Sequence, residues 1–327
     1  MRWKRLVKRA LWILGGLAVF IYFNNASWLA TPPSSGPLLL AHRGVHQTFS
    51  FEGITGDTDT SKRIHPPEHP YLENTLASME AAFRYGADVV EFDVHPTTDG
   101  RFAVFHDWLL DYRTDGKGVT REHTLAELKK LDIGYGYTAD GGKTFPFRGK
   151  GVGLMPSLDE VLEKFPDRQF LINIKSADPE EGRKLAAVLN KLPPSRRAML
   201  SVYGADLPMT TLKAELPEMR VMSRSSLKRA LIDYLMTGWS GHVPASCRNT
   251  LIHVPEKYAP LLWGWPNRFL TRMERAGTRV VLVAGEGNES RGFDAIEDLS
   301  RLPDGYKGGI WTNRIDRIGP HLKPAAE

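Results

Sequence analysis

Short apolar runs alternate with amphipathic segments along the chain from residue 38 onward. Residues Asn74–Tyr85 carry apolar side chains at helical spacing, and Ser157–Phe165 begins with the Ser and Glu pattern of a capping box. The apolar runs predict strands at Leu38–Ala41, Val89–Val94, Phe102–Phe105, Phe170–Ile174, Met199–Tyr203, Arg220–Ser223, Leu251–Val254, Val280–Ala284 and Gly309–Thr312. This alternation predicts an α/β fold built as one (β/α)8 TIM barrel. A doubly wound open sheet is the alternative, but no Gly-x-Gly-x-x-Gly follows the first strand.

Two stretches depart from an ideal barrel repeat. Val45–Leu72 is polar and rich in Thr, Asp, Pro and His, and Ala230–Asn249 lies between two predicted strands. We expect both to be loop insertions near one face of a barrel domain that spans residues 38–327. The three histidines of the first insertion are expected to be solvated; they are His46, His65 and His69.

The chain begins with a basic cluster and an apolar run. Residues 2–9 hold five Lys and Arg, residues 10–23 are uncharged, and an extension to Leu29 approaches the length of a membrane span. Potential cleavage sites after Ala26 and Ala30 lack a small residue at the −3 position. The pattern therefore predicts a transmembrane signal anchor over residues 1–30 and a Pro/Ser/Gly-rich linker over residues 31–37, with a cleaved secretory signal as the alternative.

Charge and cysteine content narrow the class of protein. The formal net charge of +5 comes from 43 Lys and Arg against 38 Asp and Glu; without the five N-terminal bases the two counts are equal. The excess charge thus predicts orientation, with the N-terminus in the cytoplasm and the barrel on the periplasmic or extracellular side of the cytoplasmic membrane. It does not indicate a nucleic-acid partner. The single cysteine, Cys247, excludes an internal disulfide framework and multi-cysteine metal sites.

Polar side chains gather where the predicted strands end, which is where barrel enzymes place their active groups. Glu91 and Asp93 are two residues apart, so their carboxylates point to one side, and a hard divalent cation would neutralise them. The neighbouring strands add His42 and His106 for proton transfer, and Arg43 and Lys175 as cations for a phosphate. The other polar residues at these ends are His95, Asp107 and Asn173. Together they suggest phosphoester hydrolysis.

Several motifs resemble those of the glycerophosphodiester phosphodiesterases. They occur in order as His42-Arg43-Gly44, Glu73-Asn74-Thr75, Glu91 to Gly100, His106-Asp107, Arg113 to Gly118, Met155 to Glu160 and Gly309 to Asn313. The resemblance implies a TIM barrel that binds Ca²⁺ or Mg²⁺ and cleaves a glycerophosphodiester to glycerol 3-phosphate and an alcohol, through a cyclic phosphate formed by the substrate's own hydroxyl.

The resemblance also implies a role for each residue that occupies a position of the family's motifs. It implies that Glu91 and Asp93 are metal ligands and that His42 and His106 are the general acid and base. Arg43 and Lys175 would hold phosphate oxygens. Glu73 would orient Arg43 or approach the metal, and His95 would contact substrate or pack beside the site.

Two positions depart from the family pattern. The family's third acidic ligand is Asn173 here, an uncharged oxygen ligand that predicts weaker metal binding. The motif at His42 and the motif at Glu73 are separated by 28 residues, so Val45–Leu72 is expected to remodel the substrate entrance.

Two alternatives remain open at this point. The anchor, and the group formed by Trp239, Tyr258, Leu261, Leu262, Trp263 and Trp265, would suit a lysophospholipid substrate cleaved in the manner of a phospholipase D. Those aromatic side chains would otherwise be core residues. Asn173 in place of an acid would suit a binding protein with impaired catalysis.

Overall fold

The computed structural model describes residues 2–32, 36–55, 58–287 and 290–324. Its strands are β1 (Leu38–Ala41), β2 (Val89–Pro96), β3 (Phe102–Val104), β4 (Gln169–Ile174), β5 (Leu200–Gly204), β6 (Arg220–Ser223), β7 (Leu251–Pro255), β8 (Arg279–Val283) and β9 (Gly309–Thr312). Its α-helices are α1 (Arg2–Asn25), α2 (Leu76–Arg84), α3 (Leu125–Leu128), α4 (Leu158–Lys164), α5 (Pro179–Leu189), α6 (Pro194–Arg197), α7 (Asp206–Glu215), α8 (Arg224–Thr237), α9 (Asn267–Arg275) and α10 (Ile315–Leu322). Residues 33–35 of the predicted linker and residues 56–57 of the first predicted insertion lie outside the described residues.

Eight strands form one parallel sheet in the order β6-β5-β4-β2-β1-β9-β8-β7. The two end strands of this order, β6 and β7, are joined by side chains. Thr250 Oγ1 donates to the Val221 carbonyl at 2.6 Å, and Lys213 Nζ donates to the carbonyls of Met219 and Asn249. The sheet is therefore a nearly closed barrel, and the predicted (β/α)8 fold is confirmed.

The predicted strand Phe102–Phe105 does not belong to the barrel. β3 pairs antiparallel with β2, with His95 opposite Ala103 and Pro96 opposite Phe102. Residues 97–101 are too few for a parallel crossover, which needs about a dozen residues, but they suffice for a hairpin. This hairpin carries His106 and Asp107 back to the end of β2.

Apolar side chains fill the barrel interior below the polar strand ends. Leu40, Val89 and Leu171 belong to one buried cluster, whereas Leu39 and Phe170 point the other way into the core beneath the helices. Because side chains alternate along a strand, the inward direction of Val89 is shared by the two acids that follow it on β2. The interior cluster thus forms an apolar floor under the polar groups.

The two predicted insertions differ in structure. The described part of Val45–Leu72 is loop, with a bridge between Phe49 and Ile64 and a short 3₁₀ helix at Thr60–Arg63. The prediction of a loop over Ala230–Asn249 is wrong in its first part, because Ala230–Thr237 completes α8. Ala230 and Tyr234, four residues apart, are both buried against the core, which explains why the helix continues.

Helix α1 extends through both the basic cluster and the apolar run. An 18-residue window within Trp3–Asn25 has a mean hydropathy of 1.7, and this segment is long and apolar enough to cross a membrane, a test that a cleavable signal also passes. The end of the helix contacts the barrel: Arg272 donates to Asn25 Oδ1 at 2.9 Å and to the Asn24 carbonyl at 2.8 Å. Membrane insertion and its direction stay predictions.

Candidate active site

The centre of the site is the acid pair on β2. Glu91 and Asp93 are 0% and 1% exposed. Burial and the charge of Asp93 raise the pKa of Glu91. Burial would also raise the pKa of Asp93, but Lys175, His106 and Arg43 outweigh it and hold that pKa well below its usual value. The pKa values of the two acids are therefore shifted in opposite directions. A nearby positive charge would favour ionisation of both.

The end of β1 places His42 and Arg43 beside these acids. The His42 backbone N–H donates to the Thr312 carbonyl, and its Nδ1 lies 2.7 Å from Asn313 Oδ1. Because Asn313 Nδ2 donates to Asp294, the Asn313 oxygen faces His42, which assigns the His42 proton to Nδ1 and leaves Nε2 as an acceptor. Burial, followed by Arg43, lowers the pKa of His42 well below its usual value, so the ring is neutral, and its Nε2 accepts a hydrogen bond from Arg43 Nε at 3.1 Å.

Arg43 has a left-handed backbone, with φ of 56°. In this conformation its N–H donates to Glu91 Oε2 at 3.1 Å, while its side chain bonds to Glu73 at 3.0 Å and lies 3.3 Å from Asp93. A non-glycine residue rarely adopts such a φ, and the surrounding contacts hold it there. Glu73 thus contacts Arg43, and its role in orienting that side chain stays a prediction.

Arg113 links Glu73 to the second histidine. Its side chain is 2% exposed and bonds to Asp107 and to Glu73 Oε2. Asp107 Oδ1 in turn lies 2.7 Å from Nδ1 of His106, whose pKa is lowered by burial and by Arg43 and Lys175. Burial would raise the pKa of Asp107, but Arg113 and His106 lower it, so this carboxylate is ionised and orients His106.

β4 contributes Asn173, and Lys175 follows directly after the strand. Asn173 lies opposite Asp93 in the sheet, and its Nδ2 donates to Asp93 Oδ1 at 2.8 Å. Lys175 Nζ lies 3.5 Å from the same oxygen. The Lys175 side chain is 21% exposed against 8% for Arg43, so Lys175 is the more accessible of the two predicted phosphate-binding cations.

Two other histidines occupy buried positions. His95 is 1% exposed and its Nε2 lies 3.3 Å from the His106 carbonyl, an environment that suits packing; substrate contact stays a prediction. The expectation that His46 is solvated is wrong, because it is 2% exposed with its ring 5.6 Å from that of His42. His65 is exposed and His69 half-buried.

Sequence reasoning did not assign Tyr203, His253 or Trp311 to the site. Tyr203 on β5 donates its hydroxyl to Glu91 Oε1 at 2.7 Å. The His253 ring on β7 lies between the rings of Tyr203 and Trp311, at 5.9 and 5.3 Å. Each ends or lies within a predicted strand, so strand alternation could have assigned them to the interior face.

The acid pair suits a hard divalent cation. Two buried carboxylates on one strand face, with the pKa of one raised by the other, gain most from a cation with oxygen ligands. Among the described residues, no group of three His, Cys, Asp or Glu side chains could hold a metal. A cation here would therefore need the Asn173 oxygen, water or substrate in addition to Glu91 and Asp93.

Comparisons with known proteins agree with this geometry. The model of the glycerophosphoryl diester phosphodiesterase family matches residues 42–316. A Bacillus subtilis glycerophosphodiester phosphodiesterase is 36% identical over 185 residues, which cover 54% of this chain and 57% of that relative's own length.

Solved structures share the fold. A crystal structure of an Agrobacterium tumefaciens glycerophosphodiester phosphodiesterase has a TM-score of 0.57 and 21% identity, covering 88% of this chain and 99% of its own. An Oleispira antarctica phosphodiesterase in complex with the product sn-glycerol-3-phosphate has a TM-score of 0.50 and 20% identity, covering 85% and 93%. The family match extends over most of the chain and confirms the resemblance seen in the motifs: the chain belongs to the glycerophosphoryl diester phosphodiesterase family.

Proposed function

We propose that this chain hydrolyses glycerophosphodiesters to glycerol 3-phosphate and an alcohol, on the outer side of the cytoplasmic membrane to which α1 anchors it. The observation that carries the proposal is the pair of histidines with fixed Nδ1 partners, Asn313 for His42 and Asp107 for His106, beside a buried acid pair. Acid-base catalysis needs two such oriented groups, one to remove a proton and one to supply it. The family to which the chain belongs is generally dependent on a divalent cation.

The reaction proceeds in two displacements at phosphorus. One histidine takes the proton from the substrate glycerol's adjacent hydroxyl, whose oxygen attacks phosphorus as the bond to the alcohol breaks. The other histidine gives its proton to the departing alcohol oxygen. Water then opens the cyclic phosphate with the two histidines in exchanged roles. The adjacent hydroxyl is already held beside phosphorus, which favours this route.

The remaining groups bind and position the phosphate. Lys175 and Arg43 supply positive charge to its oxygens, and Asp107 favours the charged form of His106. Glu91, Asp93 and the Asn173 oxygen would hold a Ca²⁺ or Mg²⁺ ion, which supplies further charge neutralisation when bound.

Release of glycerol 3-phosphate from glycerophosphocholine tests the proposed activity. The full chain in detergent should release it, lose at least about 10²-fold in rate after EDTA treatment, and recover with added Ca²⁺ or Mg²⁺. Turnover that EDTA leaves unchanged would reject the metal role. Binding of glycerophosphocholine without any release would identify the impaired binding protein instead.

Asn173→Asp tests the proposed metal ligand. The variant restores a charged oxygen ligand beside Asp93, so the metal concentration that gives half-maximal activity should fall by roughly tenfold. Titration of EDTA-treated protein with Mg²⁺ or Ca²⁺ measures this. Asn190→Asp adds the same charge at the exposed end of α5 and serves as the control. Equal half-saturation for Asn173→Asp and wild type would remove position 173 from the ligand set.

A further inference from the structure

A cavity of about 850 Å³ opens beside the candidate active site. Asn173, Lys175 and Tyr203 are among the residues that line it, and these three contact the acid pair directly. Its volume lies within the range of about 300 to 1,000 Å³ that is usual for small-molecule sites. A ligand whose phosphate lies near Lys175 could therefore extend into this space.

One wall of the cavity is apolar. Leu227, Leu231 and Leu235 follow one another at intervals of four residues, so they form a stripe along α8. Leu261 and Tyr258, from the segment after β7, lie on the same cavity. Leu261 is 64% exposed and Leu235 is 37% exposed, so this wall presents apolar surface that an apolar ligand would cover favourably.

Charge is distributed unevenly along α8. Arg224 and Lys228, in the first turns of the helix, line the cavity together with Lys175, whereas Leu231 and Leu235 follow further along. The cavity thus offers cations at one end of the helix and apolar side chains towards the other. This distribution matches an amphiphile with an anionic phosphate and an apolar chain.

The apolar end of α8 leads to the end of the candidate membrane helix. Trp239, two residues after α8, accepts hydrogen bonds at its carbonyl from the side chains of Asn24 and Asn25, at 3.1 and 2.8 Å. Those asparagines end α1. A lipid entering from a bilayer that surrounds α1 would therefore meet the leucine stripe on this side of the barrel.

We propose that this cavity is an acyl-chain subsite, and that the chain hydrolyses lysophospholipids at the phosphate bond to the headgroup alcohol. The inference rests on the proposed function and uses its chemistry. A lysophospholipid acylated at the first glycerol position retains the free neighbouring hydroxyl that attacks phosphorus, whereas a diacyl phospholipid does not. The headgroup alcohol leaves with a proton, and water opens the cyclic phosphate to give lysophosphatidic acid.

The dependence of kcat/KM on acyl length tests the subsite. The full chain in nanodiscs is assayed with glycerophosphocholine and with a series of monomeric short-chain lysophosphatidylcholines. Each added methylene should raise kcat/KM by roughly two- to fourfold while the chain lies along the leucine wall. Leu235→Asp and Leu261→Asp should flatten this rise and lower the ratio of lysophosphatidylcholine to glycerophosphocholine turnover by about tenfold.

Met236→Asp is the matched control. Met236 lies beside Leu235 on α8 and is 71% exposed, but it is not among the residues that line the cavity. It should keep the wild-type dependence on acyl length. An equal loss in Met236→Asp and Leu235→Asp would overturn the subsite, because general contact with lipid would then explain the effect.

Two results with the wild-type protein distinguish failure of the acyl subsite from failure of the proposed glycerophosphodiester hydrolysis. Turnover of glycerophosphocholine with no gain from added methylenes would overturn the acyl subsite and leave the proposed function intact. Absence of turnover with every substrate would overturn both. A rising dependence in wild type that is lost in both leucine variants supports the subsite.

Discussion

Replacement of His42 or His106 by Ala should lower kcat for glycerophosphocholine by at least about 10²-fold, because each variant removes one of the two proton-transfer groups. The rings are held by different partners, the Asn313 amide oxygen for His42 and the Asp107 carboxylate for His106. Neither substitution removes a charge from the acid pair, so metal binding should be retained. Initial rates at saturating metal, with release of glycerol 3-phosphate as the readout, measure the effect.

His65→Ala is the control for these variants. His65 is exposed and lies in the first insertion, so its loss should change kcat by less than about twofold. Because the two histidines act in one reaction, the double variant should be little slower than either single variant. Near-normal turnover in both single variants would remove them from the proposed mechanism.

The sequence predicted the parts of this site that depend on strand order and side-chain alternation. Parallel strands bring their carboxyl ends together, so His42 after β1, the acids on β2 and Lys175 after β4 could be assigned to one site from the sequence alone. The two-residue spacing of Glu91 and Asp93 also predicted that their carboxylates point to one side of β2, and the structure buries both on the side of Val89. The comparisons confirm the family and the barrel; the residue roles stay predictions.

Three features were not predicted from the sequence, and two of them depend on contacts between distant segments. The hairpin at β3 had a local signal, since Asp99-Gly100 is a common turn between antiparallel strands. The burial of His46 had none, because it results from packing of the first insertion against His42. The role of Arg113 likewise depends on Glu73 and Asp107, which come from separate loops.

Arg113→Met should lower the free energy of unfolding by about 3–5 kcal/mol, because it leaves the buried Asp107 carboxylate without its guanidinium and Glu73 with Arg43 alone. Glu73 and Asp107 are each 5% exposed, and Arg113 contacts both. Methionine fills much of the same space, so the loss reports charge more than volume. Urea unfolding of the detergent-solubilised chain, followed by tryptophan fluorescence, measures the difference.

Acid dependence distinguishes the charge effect from simple loss of packing. The folded-state pKa values of Glu73 and Asp107 are both lowered, since Arg113, together with Arg43 at Glu73 and His106 at Asp107, outweighs their burial. Their contribution to stability is therefore full above the unfolded carboxyl pKa of about 4 and is lost as pH falls through the lower folded values. Arg113→Met should lack this part of the acid dependence, so its stability should approach that of wild type as pH falls.

Arg101→Met supplies the matched surface comparison. Arg101 pairs with Asp159 at 2.6 Å, but the two side chains are 49% and 43% exposed, so its loss should cost less than about 1 kcal/mol. Glu73→Gln and Asp107→Asn added to Arg113→Met should recover part of the lost stability, because neutral side chains no longer require the guanidinium. Those substitutions also remove the carboxylate that orients His106, so the recovered protein should fold but turn over slowly. Equal destabilisation by Arg113→Met and Arg101→Met would show that the buried network does not hold the site together.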